Sequence, residues 1–214
     1  MISLFLDTSD KRIIVSILKD LEIVNEIIEE NDNNLSQRFL PLIDKALTDV
    51  DITLQDINKI FIVNGPGSFT GVRIGVDVAK IIAYSLNIDI VPISELELLA
   101  TTDTKSDFVV SYIDARRGYV YAGMYDNNLN FIFRDEYLSL EKLNNKIRRH
   151  SSFDRISYVS YYDNIEDSTL PKIDVAKIVK KHMDDKGMNP HKIIPNYLKR
   201  TEAEEKLIKN GVRN

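Results

Sequence analysis

The run with the clearest chemical potential is Gly65-Pro-Gly-Ser-Phe-Thr-Gly-Val-Arg-Ile-Gly75, placed between an apolar run of strand size and a stretch with helical spacing. Main-chain N–H groups at such a helix start gather anions, so Gly65, Gly67, Ser68 and Thr70 are candidate phosphate contacts. The glycines fit neither G-x-G-x-x-G, because the third comes one residue late, nor the P-loop, because no lysine precedes a hydroxyl residue. Asp7 and Asp114, each at the end of a strand-like run, are the carboxylates to set beside the loop. Other reactive groups are scarce. There is no cysteine, hence no disulfide, thiolate nucleophile or thiolate metal site. His150, His182 and His191 lack metal-ligand spacing and read as surface residues. No catalytic residue and no metal site are assigned.

Composition narrows the classes further. At 214 residues, 43% of them hydrophobic, the chain can bury a core and most easily divides into two lobes. Residues 1–107 carry 9 Lys and Arg against 18 Asp and Glu, a net −9, whereas residues 108–214 carry 19 against 15, a net +4. A uniformly basic nucleic-acid binder is disfavoured, since phosphate neutralisation needs clustered cations; any RNA contact is local or shared with a partner. No apolar run reaches the 18 or so residues of a membrane span. The start, Met-Ile-Ser-Leu-Phe-Leu-Asp7, lacks the basic region and cleavage site of a secretory signal. Cytoplasmic location is expected, with no membrane partner.

The elements that must position the loop follow from periodicity. Ser3–Asp7, Ile13–Leu18 and Leu21–Ile28 read as a three-stranded meander with turns between them. Leu35, Phe39, Leu42, Ile43, Ala46 and Leu47 then fall at helical spacing, with Asn33, Asn34 or Ser36 able to cap. Lys59–Asn64 is a buried-type strand, Phe69–Leu86 a second helix and Ile88–Ile93 a fifth strand. The order βββαβαβ is the half-domain pattern of the sugar kinase, Hsp70 and actin superfamily. The opening repeats 107 residues later without a gap: Asp7 aligns with Asp114, Val15 with Ala122, Ile17 with Met124 and Asp20 with Asn127. Leu129–Phe133, Leu140–Arg149, Ile156–Ser160 and Val175–Lys186 continue the copy in degraded form. The fold class is therefore α/β, a duplicated actin-like fold of two lobes, 1–103 and 104–214, each with a central mixed sheet and flanking helices. The tail, Lys192 to Arg200 and then Thr201-Glu-Ala-Glu-Glu-Lys206, reads as an extended piece passing into a charged, solvated end.

Beyond the loop, Gly71, Gly75, Ala79 and Ala83 recur every fourth residue, so one stripe of the helix allows a close approach. The neighbour is the lobe's own sheet, the Leu35–Leu47 helix, or another subunit. The candidate partner interface is this stripe with Val72, Arg73 and Val76 beside it.

Four segments, in order, carry a resemblance: Leu6-Asp-Thr-Ser9, Ser36-Gln-Arg-Phe-Leu-Pro41, the eleven-residue loop, and Ile113-Asp-Ala-Arg-Arg-Gly-Tyr-Val-Tyr121. With the closing Pro195-Asn-Tyr-Leu-Lys-Arg200 they closely resemble the TsaB family, also called YeaZ, over almost the whole chain. Two positions depart from it: Leu35 stands where family members often have histidine, and Tyr119 where they usually have glutamate. The resemblance implies a non-catalytic accessory subunit in tRNA threonylcarbamoyladenosine formation, a paralogue of the transferase TsaD, which it would bind and activate together with the ATPase TsaE. It implies homodimers when the chain is alone and tRNA contact only within the complex. The metal-binding His-x-x-x-His of TsaD is absent here, and the older glycoprotease label has no nucleophile, base or metal site to support it. Asp7-Thr-Ser9 and Asp114-Ala-Arg116 occupy the phosphate turns of actin-like ATPases but lack the glycines that admit phosphate oxygens to the backbone. No cofactor is intrinsic; ATP is expected only at the boundary with TsaD or through TsaE. The alternatives are a free-standing actin-fold kinase or ATPase, and a metallopeptidase-like hydrolase.

Overall fold

The computed structural model describes residues 1–31, 34–149, 155–163 and 165–199; Asn33, His150, Arg200 and the charged end from Thr201 lie outside them. The first lobe runs β1 (Ile2–Asp7), β2 (Arg12–Lys19), β3 (Glu22–Glu30), α1 (Leu35–Thr48), β4 (Lys59–Val63), α2 (Phe69–Leu86), β5 (Ile90–Ile93) and a short α3 (Glu95–Leu99). Its sheet has the order β3-β2-β1-β4-β5, antiparallel through the meander and parallel from β1 to β4 to β5. The second runs β6 (Phe108–Asp114), β7 (Tyr119–Asp126), β8 (Phe131–Ser139), α4 (Leu140–Arg148), β9 (Ile156–Val159) and α5 (Val175–His182), with sheet order β8-β7-β6-β9.

Five layers result. α1 and α2 cover the outer face of the first sheet, where Leu4, Leu6, Val15, Phe39, Ile62 and Val76 share one core. The other face, with Phe5, Ile14 and Phe61, meets α3, α5 and the second sheet's Val109, Ile113 and Tyr125 in a second core between the lobes. α4 closes the far side, its Leu143 packing with Val110, Tyr112 and Val120. Alternation along β1 explains the split, since successive side chains leave a strand on opposite faces.

The repeat is present in hydrogen bonds as well as strands. β2 shifted by 107 residues coincides with β7. Asp7 Oδ1 accepts from Ser9 N at 2.8 Å, and Asp114 Oδ1 accepts from Arg116 N at 2.9 Å, the same turn in both lobes.

Three expectations need correction. β8 starts at Phe131 because Leu129, expected in the strand, has φ 61 in a turn held by Asp126. α5 stops at His182, not Lys186; the carbonyls of Met183 and Asp185 accept from Lys59 Nζ instead of extending the helix. The extended tail is not uniformly solvated: Ile193 is buried in the first lobe's core and Asn196 N donates to Asn64 O at 2.7 Å, while Lys192, Ile194, Tyr197 and Lys199 are exposed and the charged end from Thr201 lies outside the described residues. No helix among the described residues is long and apolar enough to cross a membrane.

Candidate functional site

The glycine loop and both aspartate turns converge on a cleft of about 730 Å³ between the lobes. Gly67, Ser68 and Thr70 line it from the first lobe, Asp114 and Arg116 from the second, with Asp10, Lys11 and Tyr162 at its base. Ser68 caps α2, its Oγ accepting from Gly71 N at 3.3 Å. Thr70 lies inside the helix and does not cap.

The candidate phosphate set is divided by the fold. Gly67 turns its open side to the Ser9 carbonyl, 2.2 Å from where a Cβ would stand, and Ser68 N donates to that carbonyl at 2.6 Å. One N–H of the anion cradle is thus taken by the chain itself. Gly65 sits behind the loop against Asn196 O. Asp7 is 3% exposed, beneath the cleft rather than in it. Burial raises its carboxyl to about 7 against the pull of the Ser9 N–H, and the neighbouring charge of Asp10 adds to the rise. Glu95, on α3, is 1% exposed beside it, held well above the carboxylate range by burial and then by the charges of Asp7 and Asp10. A protonated buried acid is a poor partner for a phosphate-bound cation. What the cleft does offer an anion is Ser68, Thr70, Lys11 and Arg116.

A latch joins the lobes at this base. Tyr162 OH donates to Asp10 Oδ1 at 2.8 Å, Lys11 Nζ donates to Tyr161 O at 2.8 Å, and the same ammonium lies 4.2 Å from the Tyr162 ring centroid. Asn31 Nδ2 fixes the turn by donating to the carbonyls of Thr8 and Asp10. None of Asp10, Lys11, Glu95 and Tyr162 was singled out from sequence. Glu95 had a local signal, Ser94-Glu95 as a helix start; Asp10 and Tyr162 are 152 residues apart and had none.

No histidine lines this cleft. His182 lies elsewhere, at 2.9 Å from Glu97 and 2.6 Å from Asp185; burial lowers its pKa, but these two hydrogen bonds leave it above the ordinary value. His191 packs edge-on against Tyr84. Among the described residues no group of three or more His, Asp or Glu is arranged to hold a metal ion.

The small-residue stripe points inward, which corrects the expectation that it is itself the outward surface. Gly71, Val72, Gly75, Val76, Ala79 and Ala83 are all buried within this chain, and only Arg73 of the seven is exposed. The close neighbour is the end of β1. A Cβ on Gly71 would stand 2.1 Å from Thr8 O, and one on Gly75 2.3 Å from Thr8 Oγ1, which donates to Gly71 O at 2.7 Å. Around Arg73 the outward face nonetheless exposes large apolar groups, Phe69 at 53%, Ile81 at 69% and Tyr84 at 66%, among the polar Thr70 and Asp77. The Arg73 guanidinium lies 3.9 Å from the Phe69 ring centroid, Nε donates to Tyr197 OH at 2.7 Å, and Phe69 stacks on Tyr197.

Residues 22–157 match the family model described as TsaD, tRNA N6-adenosine threonylcarbamoyltransferase. Among characterised proteins, the chain is 43% identical over 126 residues to the tRNA threonylcarbamoyladenosine biosynthesis protein TsaB of Bacillus subtilis, covering 58% of this chain and about half, 55%, of that protein. It is 30% identical over 155 residues to TsaB of Buchnera aphidicola subsp. Schizaphis graminum, 69% of this chain and 73% of that protein. For Escherichia coli TsaB the figures are 34% over 136 residues, 62% and 58%. Among solved structures, a Pseudomonas aeruginosa protein described as similar to peptidase YEAZ superposes with a TM-score of 0.78 at 23% identity, over 92% of this chain and 99% of that one. YeaZ from the same organism superposes at 0.71.

Proposed function

Because the chain belongs to the TsaB (YeaZ) family, we propose that it serves tRNA threonylcarbamoyladenosine formation as a non-catalytic accessory subunit, binding and activating a TsaD-type transferase together with the ATPase TsaE. The observation that carries the reading is the outward face of α2. Phe69, Ile81 and Tyr84 are exposed on one helix beside an arginine that packs on the Phe69 ring and lies near Tyr197, a composition typical of interface anchors and unusual for a free surface. The glycines and alanines contribute indirectly, by seating α2 against β1 so that this face is rigid. In the absence of the transferase, the same face holds a second copy of the chain. ATP belongs at the boundary with the partner or on TsaE, since the chain's own loop has spent part of its anion cradle on Ser9.

The test mixes the purified chain with its host's TsaD-type protein on a sizing column. Arg73→Glu combined with Ile81→Glu should leave the melting curve near normal, abolish co-elution, and lower tRNA modification in a reaction supplied with TsaD, TsaE, ATP and threonylcarbamoyl-adenylate. Co-elution of that variant at wild-type level refutes the interface; threonylcarbamoyl transfer by the chain alone refutes the non-catalytic role. The kinase or ATPase reading draws on the interlobe cleft, and steady-state ATP hydrolysis by the isolated chain would favour it.

A further inference from the structure

The tip of the β6–β7 hairpin lies at the cleft mouth and takes no part in the α2 interface. Ala115 N donates to Tyr119 O at 2.9 Å and Tyr119 N to Arg116 O at 3.1 Å, closing a tight turn. Arg116, Arg117 and Gly118 have φ of 67°, 55° and 76°, a region usually left to glycine, asparagine and aspartate. Both arginines are exposed, and among the described residues neither forms an ion pair. Behind the tip, strand alternation puts Tyr119 and Tyr121 on one face of β7, and the register with β8 sets Tyr137 opposite Tyr121. The rings form a row: Tyr119 and Tyr137 stack at 5.0 Å and 13°, and Tyr121 and Tyr137 lie at 5.6 Å and 47°. Lys199 Nζ stands 5.4 Å from the Tyr137 ring centroid. Tyr119 ends the row with 41% of its surface open.

We propose that this row is a stacking platform for an unpaired base of single-stranded RNA, with Arg116, Arg117 and Lys199 meeting the flanking phosphates. Every base has a face that stacks on an aromatic ring, and cations at the ring edges neutralise the backbone. Charge separates this surface from the one on α2, where Arg73 and Asp77 are of opposite sign. Of the nearby carboxylates, Glu136 pairs with Lys146 and Asp135 is buried against Ser94 and Tyr125, which leaves Asp114 and the exposed Glu141 against the three cations Arg116, Arg117 and Lys199. The tip therefore presents net positive charge beside ring faces, which suits a polyanion carrying bases better than an apolar protein surface. The proposal deepens the reading that the chain serves tRNA modification, and rests on it for the choice of RNA.

Fluorescence anisotropy with a labelled anticodon stem–loop of the host tRNA tests it, using the chain both alone and bound to its TsaD-type partner. Tyr119→Ala should weaken binding roughly 5- to 150-fold, the range for removing one base–aromatic stack. Tyr119→Phe should stay within about twofold of wild type, because the ring is kept. Arg116→Ala with Arg117→Ala should flatten the salt dependence by about 0.7 in log–log slope for each phosphate no longer neutralised. No RNA binding by the wild-type chain in either form, or Tyr119→Ala binding within twofold of wild type, overturns the platform. So does loss of partner co-elution with RNA affinity kept, which would make this a protein interface. The accessory reading fails separately, if the wild-type chain does not associate with the transferase at all.

Discussion

Thr8→Ala is expected to repair Gly75→Ala and to leave Gly71→Ala unrepaired. A methyl at position 75 would stand 2.3 Å from Thr8 Oγ1 but 3.6 Å from Thr8 Cβ, so the clash is with the hydroxyl alone. To relieve it the hydroxyl must rotate and give up its bond to Gly71 O in a fully buried setting. Overpacking costs about 1–3 kcal/mol, the broken hydrogen bond about 1 kcal/mol, and replacing glycine by alanine inside a helix returns about 1 kcal/mol. The single variant should lose roughly 1–3 kcal/mol, seen as a fall in melting temperature of about 2–4 °C per kcal/mol for a chain of this size. With Thr8→Ala already made, only an ordinary contact remains, and Gly75→Ala becomes neutral or stabilising by up to about 1 kcal/mol. Gly71→Ala meets the main-chain Thr8 O at 2.1 Å, which no side-chain change removes. Urea unfolding of the wild type, three single variants and two doubles completes both cycles. Additivity within about 0.5 kcal/mol in the Gly75 cycle would refute the contact.

Ser68→Ala should cost about 1 kcal/mol through removal of the cap, whereas Thr70→Ala should change stability by less than about 0.5 kcal/mol, both read from urea midpoints. Since the folded-state pKa of Asp7 is raised to about 7 from 3.8, the native protein binds more protons than the unfolded chain between those values. Its contribution to stability is therefore fully present below pH 3.8 and declines as pH rises toward 7. Asp7→Asn should flatten the fall in melting temperature over that window, and an unchanged pH profile would argue against a buried protonated acid. Tyr162→Phe removes the hydroxyl from a mostly buried carboxylate and should cost about 1–3 kcal/mol; an unchanged urea midpoint would mean the latch between the lobes is not formed.

Most of the first lobe was legible because its signals are local. The buried residues of α1 are the six expected from helical spacing, and α2 has the expected bounds, Phe69–Leu86, fixed by the Ser68 cap at one end and Asn87 in the left-handed conformation at the other. The second lobe was less legible where turns shift the register, as at Leu129, and where a distant lysine captures helix-end carbonyls, as at Met183 and Asp185. The site failed in a more instructive way. Small residues at i, i+4 do report a close contact, but the pattern carries no sign for which body makes it; Thr8, 63 residues before Gly71, supplies the answer only once β1 lies under α2. Likewise the loop's phosphate character was read from glycine positions, while the Ser9 carbonyl that occupies part of it came from another strand end.

The return of the tail to the first lobe sets an order of assembly. Ile193 is 1% exposed in the core beneath α2, and Lys80 Nζ donates to its carbonyl at 3.0 Å, so the first lobe's apolar interior is sealed by nearly the last described stretch of chain. A ribosome therefore releases every strand of that lobe long before the segment that closes it. Until that segment arrives, α2 carries an unfilled seam next to the face proposed for partner binding.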